Sequence, residues 1–221
     1  MLSFRYISID ITHGGFIKMK KSILEGLAAG IFIGIGGAVY LSCENKVVGA
    51  VLFAVALLSI CLLGLQLFTG KVGMIVLSHT KADWISLLGC FIGNLLGTLA
   101  SSFIVGFARP ALRETAAGLA QNKLAIDSWL TIFCAAILCG ILMYTAVACY
   151  KQKNTISAIF FCVPVFILSG FEHSIADMFY FFLAGSFGIS TWFFLAIVVL
   201  GNSVGGMLIP ALTTLANSTK K

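Results

Sequence analysis

Apolar residues run along this chain in blocks of membrane-spanning length, separated by short segments that hold most of the charge. A helix needs about 20 mostly apolar residues to cross a bilayer. Six such runs are legible: Leu24 to Ser42, Val47 to Leu67, Trp84 to Phe107, Trp129 to Tyr150, Thr155 to Leu183 and Thr191 to Ala216. The fifth is over-long for one straight crossing. The pattern predicts an N-terminal cytoplasmic or interfacial segment over 1–20, a six-helix transmembrane domain over 21–216 and a short cytoplasmic tail over 217–221.

Composition removes the soluble alternatives. Apolar residues make up 60% of the 221 and charged residues 10%, against roughly 25% charged in a soluble domain. So few charges cannot cover a soluble fold of this size. The net charge of +6 is spread between apolar runs and forms no basic patch, so no nucleic-acid partner is expected.

The basic residues also orient the chain. Six crossings put both termini on one face. With the termini inside, Arg5, Lys18, Lys20, Lys21, Lys71, Lys81, Lys151, Lys153, Lys220 and Lys221 are inner, and Lys46, Arg109, Arg113 and Lys123 are outer. Ten against four fits the positive-inside rule, which predicts cytoplasmic termini. The seven cysteines include no C-x-x-C pair, and His13, His79 and His173 are too scattered for a metal site. Neither a cofactor nor a metal is expected.

Internal symmetry says more. Gly93-Asn94-Leu95-Leu96-Gly97 in the third run recurs as Gly201-Asn202-Ser203-Val204-Gly205 in the sixth. Leu67-Phe68-Thr69-Gly70 closes the second run with a polar group and a breaker; Gly170-Phe171-Glu172-His173-Ser174 interrupts the fifth. The chain reads as two three-span halves of opposite orientation, with broken second and fifth helices. Inverted repeats with broken helices commonly enclose a permeation site. Unsatisfied backbone survives in a membrane only inside protein or beside a water-filled cavity.

The fifth run also carries Glu172, His173 and Asp177 amid apolar residues. Ionisable groups at such depth are costly, which favours a functional reading. An unperturbed imidazole titrates near pH ~6.5, within reach of proton exchange with a weak acid. The plainer alternative has Glu172 capping the broken helix and His173 satisfying backbone carbonyls. The G-x-S-x-G match at Gly201–Gly205 lacks the strand-to-helix setting of a nucleophile elbow.

These residues resemble the formate/nitrite transporter family, which includes formate, nitrite and hydrosulfide channels. The likeness rests on the glycine-rich stretch Gly26 to Gly37, Leu67-Phe68-Thr69-Gly70, Gly93-Asn94 with Gly97, Gly170-Phe171-Glu172-His173-Ser174 with Met178-Phe179, and Gly201-Asn202 with Gly205-Gly206. The resemblance implies an aquaporin-like all-α fold, a homopentamer and one pore per protomer in a bacterial inner membrane. It implies a central His173 opposite Thr69, with Leu67, Phe68 and Phe166 as constriction candidates and Lys123 drawing anions into the outer vestibule. Asn94 and Asn202 join the candidate pore residues. The chain departs from the family pattern at Leu65, Gln66, Lys71, Gly140 and Asp177.

The expected function is passage of a small inorganic or carboxylate monovalent weak-acid anion, with proton exchange at His173 and Thr69 supplying a hydrogen bond. A second version leaves the anion charged and uses the histidine as a positive field. Two rivals differ in class. An aquaporin-type channel for water or neutral solutes would share the topology, yet the chain has no Asn-Pro dipeptide. An intramembrane enzyme would draw on His173, Asp177 and Ser203.

Overall fold

The computed structural model describes residues 3–78, 80–126 and 128–218, so His79 and the tail residues 219–221 lie outside the described residues. Those described form helices joined by turns and short irregular links, with no strand among them. The long helices are α1 (Ser3–Ser42), α5 (Lys81–Ala108), α7 (Trp129–Lys153) and α10 (Ile189–Ser218). In each, the apolar stretch is long enough to cross a membrane; in α1 it begins at Ile17. α1 itself runs from Ser3 into this stretch without interruption.

The second and fifth apolar runs each fold as two shorter pieces. α2 (Lys46–Leu62) is followed by α3 (Phe68–Lys71), a 3₁₀ turn at Val72–Met74 and α4 (Ile75–Ser78). α8 (Ser157–Leu168) is followed by α9 (Ser174–Leu183). The apolar pattern ends the second run at Leu67, yet the chain turns helical again through Ser78. Gly70, Lys71 and Gly73 dilute this second piece, which hides it from an apolar-window reading. Another helix absent from the sequence reading, α6 (Ala111–Leu124), joins α5 to α7. Pro110 starts it where a missing N–H costs nothing, and Leu112, Ala116 and Ala120 form its buried stripe.

The two breaks are built alike. Gly64 and Gly170 end the first pieces with φ of +67° and +68°, the left-handed conformation that glycine adopts without strain. The amide of Leu65 then reaches back to Ile60 O at 2.9 Å, and that of Phe171 to Phe166 O at 2.9 Å. Two positions on, Leu67 and His173 start the second pieces as N-caps in matching β-region backbone.

An asparagine clamps each break. Asn94 Oδ1 accepts from Phe68 N–H at 2.8 Å, while Nδ2 donates to Gly26 O and Gln66 O at 2.8 and 3.0 Å. Asn202 Oδ1 accepts from Ser174 N–H, and Nδ2 donates to Ala136 O and Glu172 O, all at 2.8 Å. Buried backbone polar groups that a broken helix would orphan are thereby satisfied.

Close helix crossings bring each asparagine within reach. A Cβ on Gly97 would sit 2.2 Å from Leu27 O, fixing α1 against α5. One on Gly205 would sit 2.0 Å from Ile137 O, fixing α7 against α10. Gly140 belongs to the same seam: a Cβ there would meet Asn202 O at 2.4 Å, as one on Gly30 would meet Asn94 O at 2.5 Å. Small residues let backbones touch in lipid, where no hydrophobic force separates protein from solvent. Phe107, Phe161 and Ile189 are at least 73% exposed on the outer surface, as a lipid-facing shell requires.

Candidate pore and its flanking charge clusters

A cavity lies beside each of the two breaks. The first, of about 360 Å³, is lined by Lys21, Glu25, Gln66, Leu67, Lys71 and Lys151 among others. The second, of about 260 Å³, is lined by residues that include Tyr40, Lys123, Phe166, Glu172, His173 and Asp177. Lys21 and Tyr40 stand toward opposite ends of the apolar part of α1. At 1.5 Å per residue they are roughly 28 Å apart along the helix, close to the hydrocarbon thickness of ~30 Å.

Between the cavities, Thr69 Oγ1 and His173 Nε2 meet at 2.9 Å, and both residues are buried. The ring of Phe166 stacks on the imidazole with centroids 5.4 Å apart and planes 25° from parallel. Behind it, Phe53 meets Phe166 edge-on at 6.2 Å. The imidazole has a second duty as the N-cap of α9, where Nδ1 accepts from Ala176 N–H at 3.1 Å. A nitrogen that accepts carries no proton, so the other must hold it in the neutral ring. Nε2–H then donates to Thr69 Oγ1, which leaves the threonine hydroxyl hydrogen free for a third partner. The cap is therefore His173 rather than Glu172, and it takes an amide hydrogen rather than facing carbonyls.

The constriction candidates separate. Leu67 lines the first cavity and Phe166 the second. Phe68 turns the other way. Its ring packs on Phe91 at 5.1 Å and lines a shallow apolar pocket with Trp84, Leu87, Leu88 and Val199. Asn94 and Asn202 are fully buried and direct both ends of their amides at main-chain groups of the breaks and adjoining helices.

Lys123 is paired. Its ammonium hydrogen-bonds Glu172 Oε2 and lies 3.0 Å from Asp177 Oδ1. Burial favours the neutral amine, but the Asp177 and Glu172 carboxylates outweigh it and raise the lysine's pKa above its ordinary value. The matching cluster at the first break is Lys71 donating to Gln66 Oε1 and Ser86 Oγ, with Gln66 Nε2 donating to Glu25. Sequence reading missed both groupings. It singled out Glu172 and Asp177 only as costly charges and Gln66 and Lys71 only as departures. The signal available was the spacing, because Gln66 and Lys71 precede and follow the first break as Glu172 and Asp177 do the second. Among the described residues, no group of three or more histidine, cysteine or acidic side chains could hold a metal.

Comparison with known proteins places this architecture. The model of the formate/nitrite transporter family matches residues 11–216. The chain belongs to the formate/nitrite transporter family. Similar family proteins include the formate channel FocA of Haemophilus influenzae, 26% identical over 72% of this chain and 64% of that protein. FocA of Escherichia coli K12 is 28% identical with the same coverage, so the matched region spans somewhat under two thirds of these relatives' length. A probable formate transporter of Methanothermobacter thermautotrophicus is 27% identical over 87% of both chains. Among solved structures, a pentameric formate channel with formate bound superposes with a TM-score of 0.78 at 25% identity, covering 91% of this chain and 98% of that one. The protein is thus an integral, multi-pass membrane protein of a transporter family, with the all-helical fold of its channels.

Proposed function

We propose that this chain is a channel for a small monovalent weak-acid anion such as formate, nitrite or hydrosulfide. Six crossings arranged as two inverted halves assemble as a homopentamer with a pore in each protomer and both termini cytoplasmic. The observation that carries the reading is the buried Thr69–His173 hydrogen bond between two cavities that open toward opposite ends of the spanning helices. A chain of donors, Nε2–H to Thr69 Oγ1–H to the permeant, presents a polar hydrogen to an anion between the two cavities. Leu67 and Phe166 flank that point and strip water from whatever crosses.

Moving a bare ion through such a stretch costs several kcal/mol more than moving the neutral acid. Proton exchange at His173 lowers that cost. Uptake of a proton at Nδ1 breaks the Ala176 bond, at about 1–3 kcal/mol, so the charged ring is transient and the capped neutral ring is the resting form. The imidazolium then passes a proton through Thr69 to the anion. Lys123, matched by two carboxylates, acts as part of a buried cluster and not as a free attracting charge. The bound formate and pentameric assembly described for a structure of this fold support the same reading.

Liposomes containing the full chain test it, with formate, nitrite, hydrosulfide, lactate and chloride offered side by side. Uptake of at least one weak-acid anion, rising as the pH falls, with little chloride, is the expected result. Water passage without anion uptake would instead mark an aquaporin-type channel, and no passage at all would remove the transport reading.

A further inference from the structure

The first cavity carries more positive charge than its protein partners use. Lys21 of α1, Lys71 of α3 and Lys151 in the last turn of α7 all line it, and Glu25 is the one carboxylate among its lining residues. That carboxylate is already engaged, by Gln66 Nε2 at 2.5 Å and by Lys21 at 3.6 Å. Lys71 is half-buried and donates to two neutral oxygens, Gln66 Oε1 and Ser86 Oγ. An ammonium has three hydrogens to donate, so one is left over. Lys151 is exposed and pairs with no carboxylate among the described residues. Three lysines against one glutamate leave a surplus of two positive charges. The second cavity is the reverse, with Lys123 held between two carboxylates.

We propose that the first cavity binds a doubly charged oxyanion, such as sulfate, hydrogen phosphate or a small dicarboxylate, and that this anion plugs the pore from the Lys21 face. Like charges gathered around one hollow repel until a ligand of opposite sign enters, and two negative charges match the surplus. Ammonium hydrogens bond oxyanion oxygens with charge assistance. The cavity's volume of about 360 Å³ falls within the ~300–1,000 Å³ of pockets that enclose small molecules.

Leu67 and Gly70, both buried, also line this cavity and flank Phe68 and Thr69 in the chain. An anion resting there stands at the entrance to the Thr69–His173 stretch. It goes no further, because the cost of desolvating an ion grows with the square of its charge. The single proton that neutralises formate leaves a dianion still charged. The cavity therefore holds an anion that the crossing rejects, and the opposite face has no matching site.

The plug takes its permeant from the proposed function, but the binding site is tested without transport. Radiolabelled sulfate, which stays doubly charged at neutral pH, is offered to the full chain in phosphatidylcholine nanodiscs, with sodium chloride holding the ionic strength constant against screening. Saturable binding is expected. Lys71→Gln should bind about ten- to hundredfold more weakly, the worth of a charge-assisted hydrogen bond. Lys151→Gln removes an exposed side chain that the fold does not use, and should weaken binding by about two- to fivefold. No saturable binding, or equal binding by both variants and the unsubstituted protein, overturns the proposal. So does loss of sulfate binding when anionic lipid is added to the discs, which would assign the lysines to headgroups. Formate uptake into right-side-out and inside-out membrane vesicles supplies the second reading. External sulfate should inhibit uptake in one vesicle type alone, and flux through Lys71→Gln should be the same with and without it. Inhibition in both types or in neither overturns the plug, whereas a chain that binds sulfate through Lys71 but passes no formate refutes only the transport reading.

Discussion

Replacing Asn202 by alanine removes three hydrogen bonds of 2.8 Å from a fully buried site. The Ser174 amide and the Glu172 carbonyl lie at the break itself, with no helical ladder to take them up. The Ala136 carbonyl lies inside α7 and keeps its helical partner, so its loss weighs less. Side-chain hydrogen bonds between membrane helices contribute about 0.6–2 kcal/mol each, and stranded buried groups cost up to about 3 kcal/mol. Two fully stranded groups and one weakened one give an expected loss of about 2–5 kcal/mol. Unfolding in bicelles, followed by trapping of the separated termini, measures it. Asn94→Ala should lose a similar amount, since it removes bonds to Phe68, Gly26 and Gln66. Ser203→Ala is the control: its hydroxyl bonds only to Val199 O at 2.7 Å, within its own helix, and its removal should cost under about 1 kcal/mol. An Asn202→Ala protein within about 0.5 kcal/mol of the unsubstituted one would refute the clamp.

Two further substitutions probe the frame and the charge cluster. Gly205→Ala sets a Cβ 2.0 Å from Ile137 O, a backbone atom that cannot yield without moving α7 from α10; the folded fraction recovered from membranes should drop sharply, while Gly118→Ala, where nothing lies within 4 Å, should leave it unchanged. Lys123→Met strands Glu172 and Asp177 without a cation, which for a buried pair costs about 3–5 kcal/mol. Its thermal midpoint should fall most at alkaline pH and recover partly in acid, where the carboxylates take up protons. Because the pKa of Lys123 is raised, its charge persists in the unsubstituted protein across that range. A midpoint loss independent of pH would contradict the charge assignment.

The repeated Gly-Asn motif and the polar interruption of the fifth run were enough to foresee paired breaks, while the placing of His173 opposite Thr69 came from the family resemblance. What they could not carry was anything set by one-residue register or by distant partners. Leu67 and Phe68 are adjacent and apolar, yet the turn into α3 sends Leu67 to the first cavity and Phe68 to Phe91. The piece from Phe68 to Ser78 was too short and too diluted by Gly70, Lys71 and Gly73 to read as membrane helix. Helix α6 balances apolar and polar residues, so only its small buried stripe marks it. Lys123 looked like a free outer cation because its partners, Glu172 and Asp177, lie far along the chain. Gly140 looked like a lost polar group, whereas packing against Asn202 leaves no room for a side chain there.

Formate flux through His173→Asn, set beside the unsubstituted protein, tests the hydrogen-bonded imidazole most directly. Asparagine can still cap α9 through its side-chain oxygen, so the break should survive while the Nε2–H donor to Thr69 is lost. A hydrogen bond to a charged partner is worth about 1.5–3 kcal/mol, so flux at neutral pH should fall roughly tenfold to hundredfold and its dependence on pH should change. Uptake equal to that of the unsubstituted protein, with the same pH profile, would contradict the account.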